Sequence, residues 1–342
     1  MSHSVAEARV FHLSDLPLVM RLKSRGISLD SESYLARGLH TMEDAALSRL
    51  PLGDFGTPTV VARYGAAQVF GQFRHQVGDS HAHIVFIAPA LVNGYTDAQE
   101  SAWLHLLDAL AVAAAEHGAQ TIHADVDENS VVFAVLRHAG YAPYASQDIW
   151  MRGPIPPTSG PEPAADAALH LRPARDADVP ALAALHTHTV PQLARQADPP
   201  PLAQGLVYFH DGKACAYVAV SAGNRGIYLR PYLHADYQQI ARPLLEAALA
   251  LIPQAARVPV FVCVRNYQDW LGSALAEAGF SPWARQTVLV RHTTVRVRKP
   301  AFATLPAVPA GIGVPGPGSS HTWLIPTGGT CRPASEKVRE VR

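Results

Sequence analysis

Acids, imidazoles and thiols are the side chains with which this sequence could do chemistry, and few of them fall at a working spacing. Asp125, Asp127 and Glu128 stand together after the apolar run Thr121 to Val126. Open α/β sheets place ligands at the carboxyl ends of parallel strands, so one of these acids could serve as a general base. The plainer reading is a solvated strand end before a turn. Among 17 histidines, His81-x-His83 and His186-x-His188 repeat at i, i+2, a spacing that shares one face on a strand. Neither pair has a Cys or carboxylate at familiar spacing to complete a zinc set, so both are read as surface histidines and no metal is expected. Cys215, Cys263 and Cys331 are far apart, with no CxxC, which fits a reducing, cytoplasmic setting. No nucleophile elbow, P-loop or GxGxxG occurs, so the residues alone name no catalytic group.

The elements that must position these groups come twice. Gly140 to Arg152 reads GYAPYASQDIWMR, and Gly279 to Arg291 reads GFSPWARQTVLVR, at a constant offset of 139. Gly, aromatic, Pro, aromatic, Ala, Gln and Arg recur in order, which marks two copies of one structural unit. Tyr144 and Trp283 fall at equivalent places and suggest a shared packing role. Val10 to Leu13 reads as a strand, with Ser14 capping a helix that has Pro17 in its first turn. Asp178-Val179-Pro180 echoes Asp15-Leu16-Pro17. Hairpins follow: Thr59 to Tyr64 with Ala67 to Arg74 around Gly65, and Leu206 to His210 with Ala214 to Val220 around Asp211-Gly212. Strands His83 to Ala88 and Gly226 to Arg230 each lead into a helix. The first helix carries a stripe of Trp103, Leu106, Leu107, Leu110 and Ala114 and ends at Gly118. The second carries Ile240, Leu244, Ala248 and Leu251, with a kink expected at Pro243. Asp97 and Asp236 read as the caps. Strands Thr121 to Val126 and Val258 to Val264 complete right-handed βαβ units. Short helices, Ser130 to Ala139 and Asp269 to Ala278, precede closing strands at Ser146 to Met151 and Arg285 to Val290.

The resulting division is a first domain over 1–152, a Pro-rich linker over 153–168, a second domain over 169–292 and a Pro- and Gly-rich tail over 293–342. The tail reads as disordered, with a strand near Thr294 to Arg298. Each half is long enough to bury its own core. With 48% hydrophobic and 16% charged residues the composition is that of a compact globular chain. The 28 basic and 28 acidic residues balance, which argues against a nucleic-acid partner. No apolar run reaches the length of a membrane span, and no signal pattern opens the sequence, so no membrane partner is expected.

This order of elements resembles the GNAT superfamily of acyl-CoA-dependent N-acyltransferases. Asn129 before Gly140-Tyr141 looks like that family's Asn…Gly-Phe segment, and LRPARDADVPALAAL from Leu171 looks like its opening strand and helix. The likeness covers roughly residues 8–152 and 169–291. It implies an α/β (α+β) fold of tandem GNAT-like domains, each a mixed twisted sheet flanked by helices. It implies acetyl-CoA as co-substrate and a small amine or peptide amine as acceptor. The main chain of Phe86, Ile87 and Ala88 would meet the thioester between parted strands, Gly94 would belong to the pyrophosphate turn, and Asn129 would touch the pantetheine arm. The family's Tyr general acid falls on Leu136 and Leu275, and leucine donates no proton. Gly94 is a lone glycine in its turn, and the second half has none there. These departures support an alternative, a GNAT-like binding or scaffold protein without activity.

Overall fold

The computed structural model of the chain describes residues 7–38, 57–76, 78–154, 169–195, 198–201 and 203–293. Most of the 153–168 segment and everything beyond 293, the expected strand at 294–298 included, lie outside the described residues.

The first repeat runs β1 (Glu7–Val10), α1 (Leu16–Leu22), β2 (Ile27–Ser28), α2 (Ser31–Ala36), β3 (Thr59–Tyr64), β4 (Ala67–His75), β5 (His81–Ala88), α3 (Asp97–Glu116), β6 (Thr121–Val126), α4 (Val131–His138) and β7 (Ala142–Arg152). The second runs β8 (Arg172–Pro173), α5 (Val179–Thr189), α6 (Gln192–Arg195), β9 (Gly205–His210), β10 (Lys213–Ala222), β11 (Ile227–Leu233), α7 (Ala241–Ala250), β12 (Val260–Arg265), α8 (Leu271–Glu277) and β13 (Ser281–His292). Residues 7–293 lie within one compact unit.

Among the described residues all strands join one mixed sheet in the order β1-β3-β4-β5-β6-β13-β7-β12-β11-β10-β9-β8, with β2 on β5. Only β5–β6 and β11–β12 pair in parallel; every other pairing among the described residues is antiparallel. The order shows an exchange. β13 of the second repeat lies between β6 and β7, and β7 of the first pairs with β12.

The echo in the sequence is the seam of this exchange. Gln147 and Gln286 face each other across β7–β13, bonded at 3.0 Å. Gly140 and Gly279 take φ of 84° and 82° after their helices, a left-handed cap that glycine adopts without strain. The following aromatics, Tyr141 and Phe280, are buried, and each is covered by an arginine of the other repeat's strand. Arg152 lies 6.0 Å over the Phe280 ring and donates to the Ala278 carbonyl at 2.6 Å. Arg291 lies 6.0 Å over Tyr141 and pairs with Asp108 at 2.7 Å.

Helix α3 forms as its stripe dictates. Trp103, Leu106, Leu107, Leu110 and Ala114 are fully buried against Ile84, Ile122 and Ala124, each large side chain contributing about 1.5–3 kcal/mol by area. In the second repeat Leu244, Leu245 and Ala248 pack on Ile227, Leu229, Val260 and Val262. Leu251 is exposed instead. Pro243 sits in the first turn of α7, where its missing N–H is harmless, and the bend falls at Tyr237. The helix starts also differ from expectation. Thr96, with a reciprocal bond to Gln99, caps α3, and His234 accepts from the Asp236 amide, so neither aspartate is the cap. Before α1, Asp15 rather than Ser14 gathers the turn, taking Arg9 at 2.6 and 2.7 Å and the His12 amide at 2.9 Å. Asp178, Arg172 and the Arg175 amide repeat that arrangement at 2.7, 2.8 and 2.8 Å.

Helix α2 crosses to the other repeat. Leu35 and Ala36 pack with Ile149, Tyr228, Phe261 and Cys263. The approach is close enough that a Cβ on Gly223 would lie 2.1 Å from the Ala36 carbonyl oxygen.

Candidate functional site

Each parallel pair is short and then parts. β5 and β6 are in register only from His81–Thr121 to His83–His123, and β11 and β12 only from Ile227–Val260 to Leu229–Val262. Beyond those pairs a wedge opens between the strands, and their main-chain groups need partners.

The chain fills both wedges itself. In the first, β2 lies along β5, Ile27 opposite Ile87 and Ser28 opposite Phe86. The Leu29 amide donates to the Val85 carbonyl at 3.1 Å, and the Asp125 amide donates to the Leu29 carbonyl at 2.8 Å, so the segment bridges both strands. A Cβ on Gly26 would sit 2.0 Å from the Phe86 ring, which only glycine avoids. At the second, one side chain bonds the freed edge of β11. Gln268, buried, donates to the Leu233 carbonyl at 3.4 Å; with its amide turned over it donates to the Pro231 carbonyl at 3.0 Å and accepts from the Leu233 amide at 3.1 Å. Pro231 can stand in β11 because the strand has already left β12 there.

The residues expected to meet a cofactor are distributed accordingly. Phe86 and Ile87 are paired on both edges, with β4 on one side and β2 on the other. Ala88 pairs with Phe70 and is fully buried. Gly94 has φ of 84°, with open space where a Cβ would be. Just after it the first turn of α3 carries Asp97 and Glu100, the latter 3.0 Å from His138. Asn129 is exposed, its amide donating to Asp127 Oδ1 at 2.8 Å. Leu136 and Leu275 are fully buried core residues.

A cavity of about 630 Å³ opens between the repeats. One wall carries Glu32, Arg74, His81, His83 and His123 of the first repeat. The other carries Asp198, Tyr228, Arg230, Tyr232 and Arg265 of the second. Behind the first wall Asp30 is 1% exposed and holds Arg74, with Ser33 donating from its amide at 3.2 Å and its hydroxyl at 2.7 Å. Burial pushes the Asp30 carboxyl up, but Arg74 and His83 outweigh it and hold the carboxyl well below the usual range. Burial drives His83 down, and drives His123 further down with help from its imidazole neighbours, so both are neutral near pH 7. Their rings stand 5.0 Å apart, with His81 5.2 Å from His123.

On the second wall Arg230 pairs with Asp198, which also accepts from the Tyr267 hydroxyl at 3.1 Å. Burial raises Tyr232 and Tyr228 far above a free phenol, and both stay protonated. The Cys263 thiol is likewise raised by burial and donates to Gln147 Oε1 at 3.2 Å, which makes it a poor nucleophile.

The three acids singled out from sequence do not converge. Asp125 is buried and accepts from the Ser31 amide at 3.2 Å, Glu128 accepts from Thr287, and Asp127 is exposed. The histidine pairs also separate. His81 and His83 share the cavity wall, whereas His186-x-His188 lies on helix α5, where such a spacing points the rings about 200° apart. No metal was expected. Asp30, His83 and Asp125 do offer ligand atoms within 4.8 Å of one another, but the Arg74 guanidinium already balances Asp30. Sequence reasoning missed Asp30, Arg74, Asp198, Arg230, Arg265 and Gln268. The available signal was an arginine set in or ending an otherwise apolar strand, as in IYLRPYL and VFVCVR.

No family model and no curated protein matches this sequence. Solved structures similar to it include a GCN5-related N-acetyltransferase from Sphaerobacter thermophilus, 14% identical over 84% of this chain and 96% of that one, with a TM-score of 0.48. A tandem GNAT protein from the clavulanic acid biosynthesis pathway is 16% identical over 85% and 99%, also at 0.48. A GNAT-family acetyltransferase from Colwellia psychrerythraea is 12% identical over 84% and 99%, at 0.42. The architecture here is a tandem GNAT-like one. Each repeat carries the same order of elements and one parallel pair that parts. Among the described residues, no helix is long and apolar enough to cross a membrane.

Proposed function

We propose that this chain is a small-molecule-binding protein on a GNAT-like scaffold, with its ligand site in the cavity between the repeats. One observation carries the reading: residues 27–29 occupy the wedge between β5 and β6 and bond both strands. An acyl-CoA arm laid along Phe86 to Ala88 would need the same main-chain groups. The buried free thiols Cys215 and Cys263 fit a cytoplasmic setting. The test is calorimetric titration and thermal melting with acetyl-CoA. A ligand at a hundredfold its dissociation constant stabilises by about 2.7 kcal/mol. The expected result is no heat and no shift at millimolar acetyl-CoA; saturable binding overturns the reading.

A second reading has one feature in its favour, the open left-handed turn at Gly94 leading into the 20-residue helix α3. It is acetyl-CoA-dependent N-acyl transfer to a small amine or peptide amine, with β2 displaced on binding and Asn129 against the pantetheine arm. Under it, acetyl-CoA binds and Asn129→Ala weakens binding more than the same change at Asn266, the asparagine that precedes Gly279-Phe280 in the second repeat at a spacing two residues longer.

A further inference from the structure

Arg265 closes β12 and lines the cavity between the repeats. Its Nε and Nη1 are buried with no hydrogen-bond partner among the described residues. The acid on that wall is already committed, since Asp198 accepts from Arg230 and from Tyr267. Two guanidiniums therefore stand against one carboxylate, and the wall holds one positive charge in excess. A cation kept out of water without a partner is strongly unfavourable. Other arginines of the fold close on their own acids: Arg9 on Asp15, Arg172 on Asp178, Arg74 on Asp30 and Arg291 on Asp108. Arg195, Arg230 and Arg291 each carry one buried nitrogen without a hydrogen bond, but Arg230 and Arg291 lie within ion-pair distance of an acid, whereas Arg265 has two such nitrogens and borders the cavity.

We infer that the cavity takes a small organic monoanion whose carboxylate seats on Arg265 and whose body lies against Tyr228 and Tyr232. The charge count selects the class. One negative charge neutralises the wall, whereas a dianion would be repelled by Asp198 beside it. A planar guanidinium matches a carboxylate through paired donors. A volume of about 630 Å³ lies within the usual range for small-molecule sites. This inference rests on the reading that the inter-repeat cavity is the ligand site.

The experiment is thermal melting of the full chain in acetate, benzoate, phosphate or chloride at matched ionic strength, for the native protein, Arg265→Met and Arg265→Lys. Acetate and benzoate at tens of millimolar are expected to raise the native Tm above its value in chloride, benzoate more than acetate. Phosphate is expected to do no more than chloride. In Arg265→Met the carboxylate effect disappears, and the ligand-free Tm equals or exceeds the native one, because an unpaired buried cation has been removed. Arg265→Lys keeps the charge without the fork and retains a reduced effect. A native Tm indifferent to both carboxylates overturns the inference, as does a carboxylate effect that persists in Arg265→Met. A greater shift in phosphate than in benzoate also overturns it. Should Arg265→Met not fold, the native and Arg265→Lys arms decide. An acetyl-CoA arm separates the two claims: acetyl-CoA binding sinks the binding-protein reading, whereas silence towards both acetyl-CoA and carboxylates sinks only this one.

Discussion

The two wedges pose one physical problem and solve it by different means. In the first repeat a stretch of main chain, residues 27–29, inserts between the parted strands and is held by backbone bonds on both sides. In the second, a single primary amide, Gln268, satisfies the Pro231 and Leu233 groups. The difference teaches that the same exposed strand edge can be met either by a length of main chain or by one side-chain amide. The exposed peptide groups must be satisfied by something, and here the chain itself supplies it.

The comparison can be broken from the second repeat first. Asp198→Ala strands Arg230 beside the already unpaired Arg265. It is expected to cost about 3–5 kcal/mol, read as a lower denaturant midpoint; a midpoint unchanged from native would mean the two arginines are not held together by this acid. In the first repeat, Gly26→Val drives a side chain into the Phe86 ring. The expected loss is about 1–3 kcal/mol by overpacking, and if the variant were instead to gain acetyl-CoA binding in a titration, the wedge would be shown to open. Gln268→Ala leaves the Pro231 and Leu233 groups without their partner and is expected to cost about 1–3 kcal/mol. Gln268→Glu, which lacks the amide donor, should not restore stability at neutral pH. Near-native melting of both variants would mean the amide is not filling the wedge.

The smallest effect is in pH. His83, His123 and His186 are each pushed below the ordinary histidine value, chiefly by burial. The unfolded chain therefore binds more protons than the folded one just below about pH 6.5, and stability falls as pH drops through that value. Asp30 and Asp198 are held below the usual carboxylate range by Arg74 and Arg230 against the effect of burial. Their contribution is intact above about pH 4 and is lost only further into acid. Melting from pH 7 to 5 should decline, and His123→Gln should flatten that decline; an equal slope in the variant would rule out this imidazole as its source.

Much of the architecture was legible because repetition is a global signal. Matching Gly-aromatic, Gln and Arg positions gave the duplicated unit, and the apolar stripe from Trp103 to Ala114 gave α3. The exchange of β7 and β13 was not legible, since a strand carries the same alternation whichever neighbour it pairs with. The first strand, Glu7–Val10, shares only Val10 with the expected Val10 to Leu13, because Leu13 already belongs to the turn that Asp15 gathers. The site was less legible still. β2 is two residues long and carries no period, and its role depends on Gly26 passing over Phe86. Asp198 and Arg230 meet across 32 positions and Arg74 and Asp30 across 44, so neither pair shows in any local window. Arg265 is conspicuous only once its neighbours are seen to be spoken for.

Exchange of the closing strands has a consequence for synthesis. The Thr293 hydroxyl bonds the Ala119 carbonyl from 174 positions away, and β13 is the strand that closes β6. A ribosome that has delivered the whole first repeat has therefore made a β6 with one edge bare and a β7 with neither of its neighbours. Those edges stay open to other nascent copies until residues 281–292 emerge, so their closing contacts are among the most distant in sequence and fall late in synthesis.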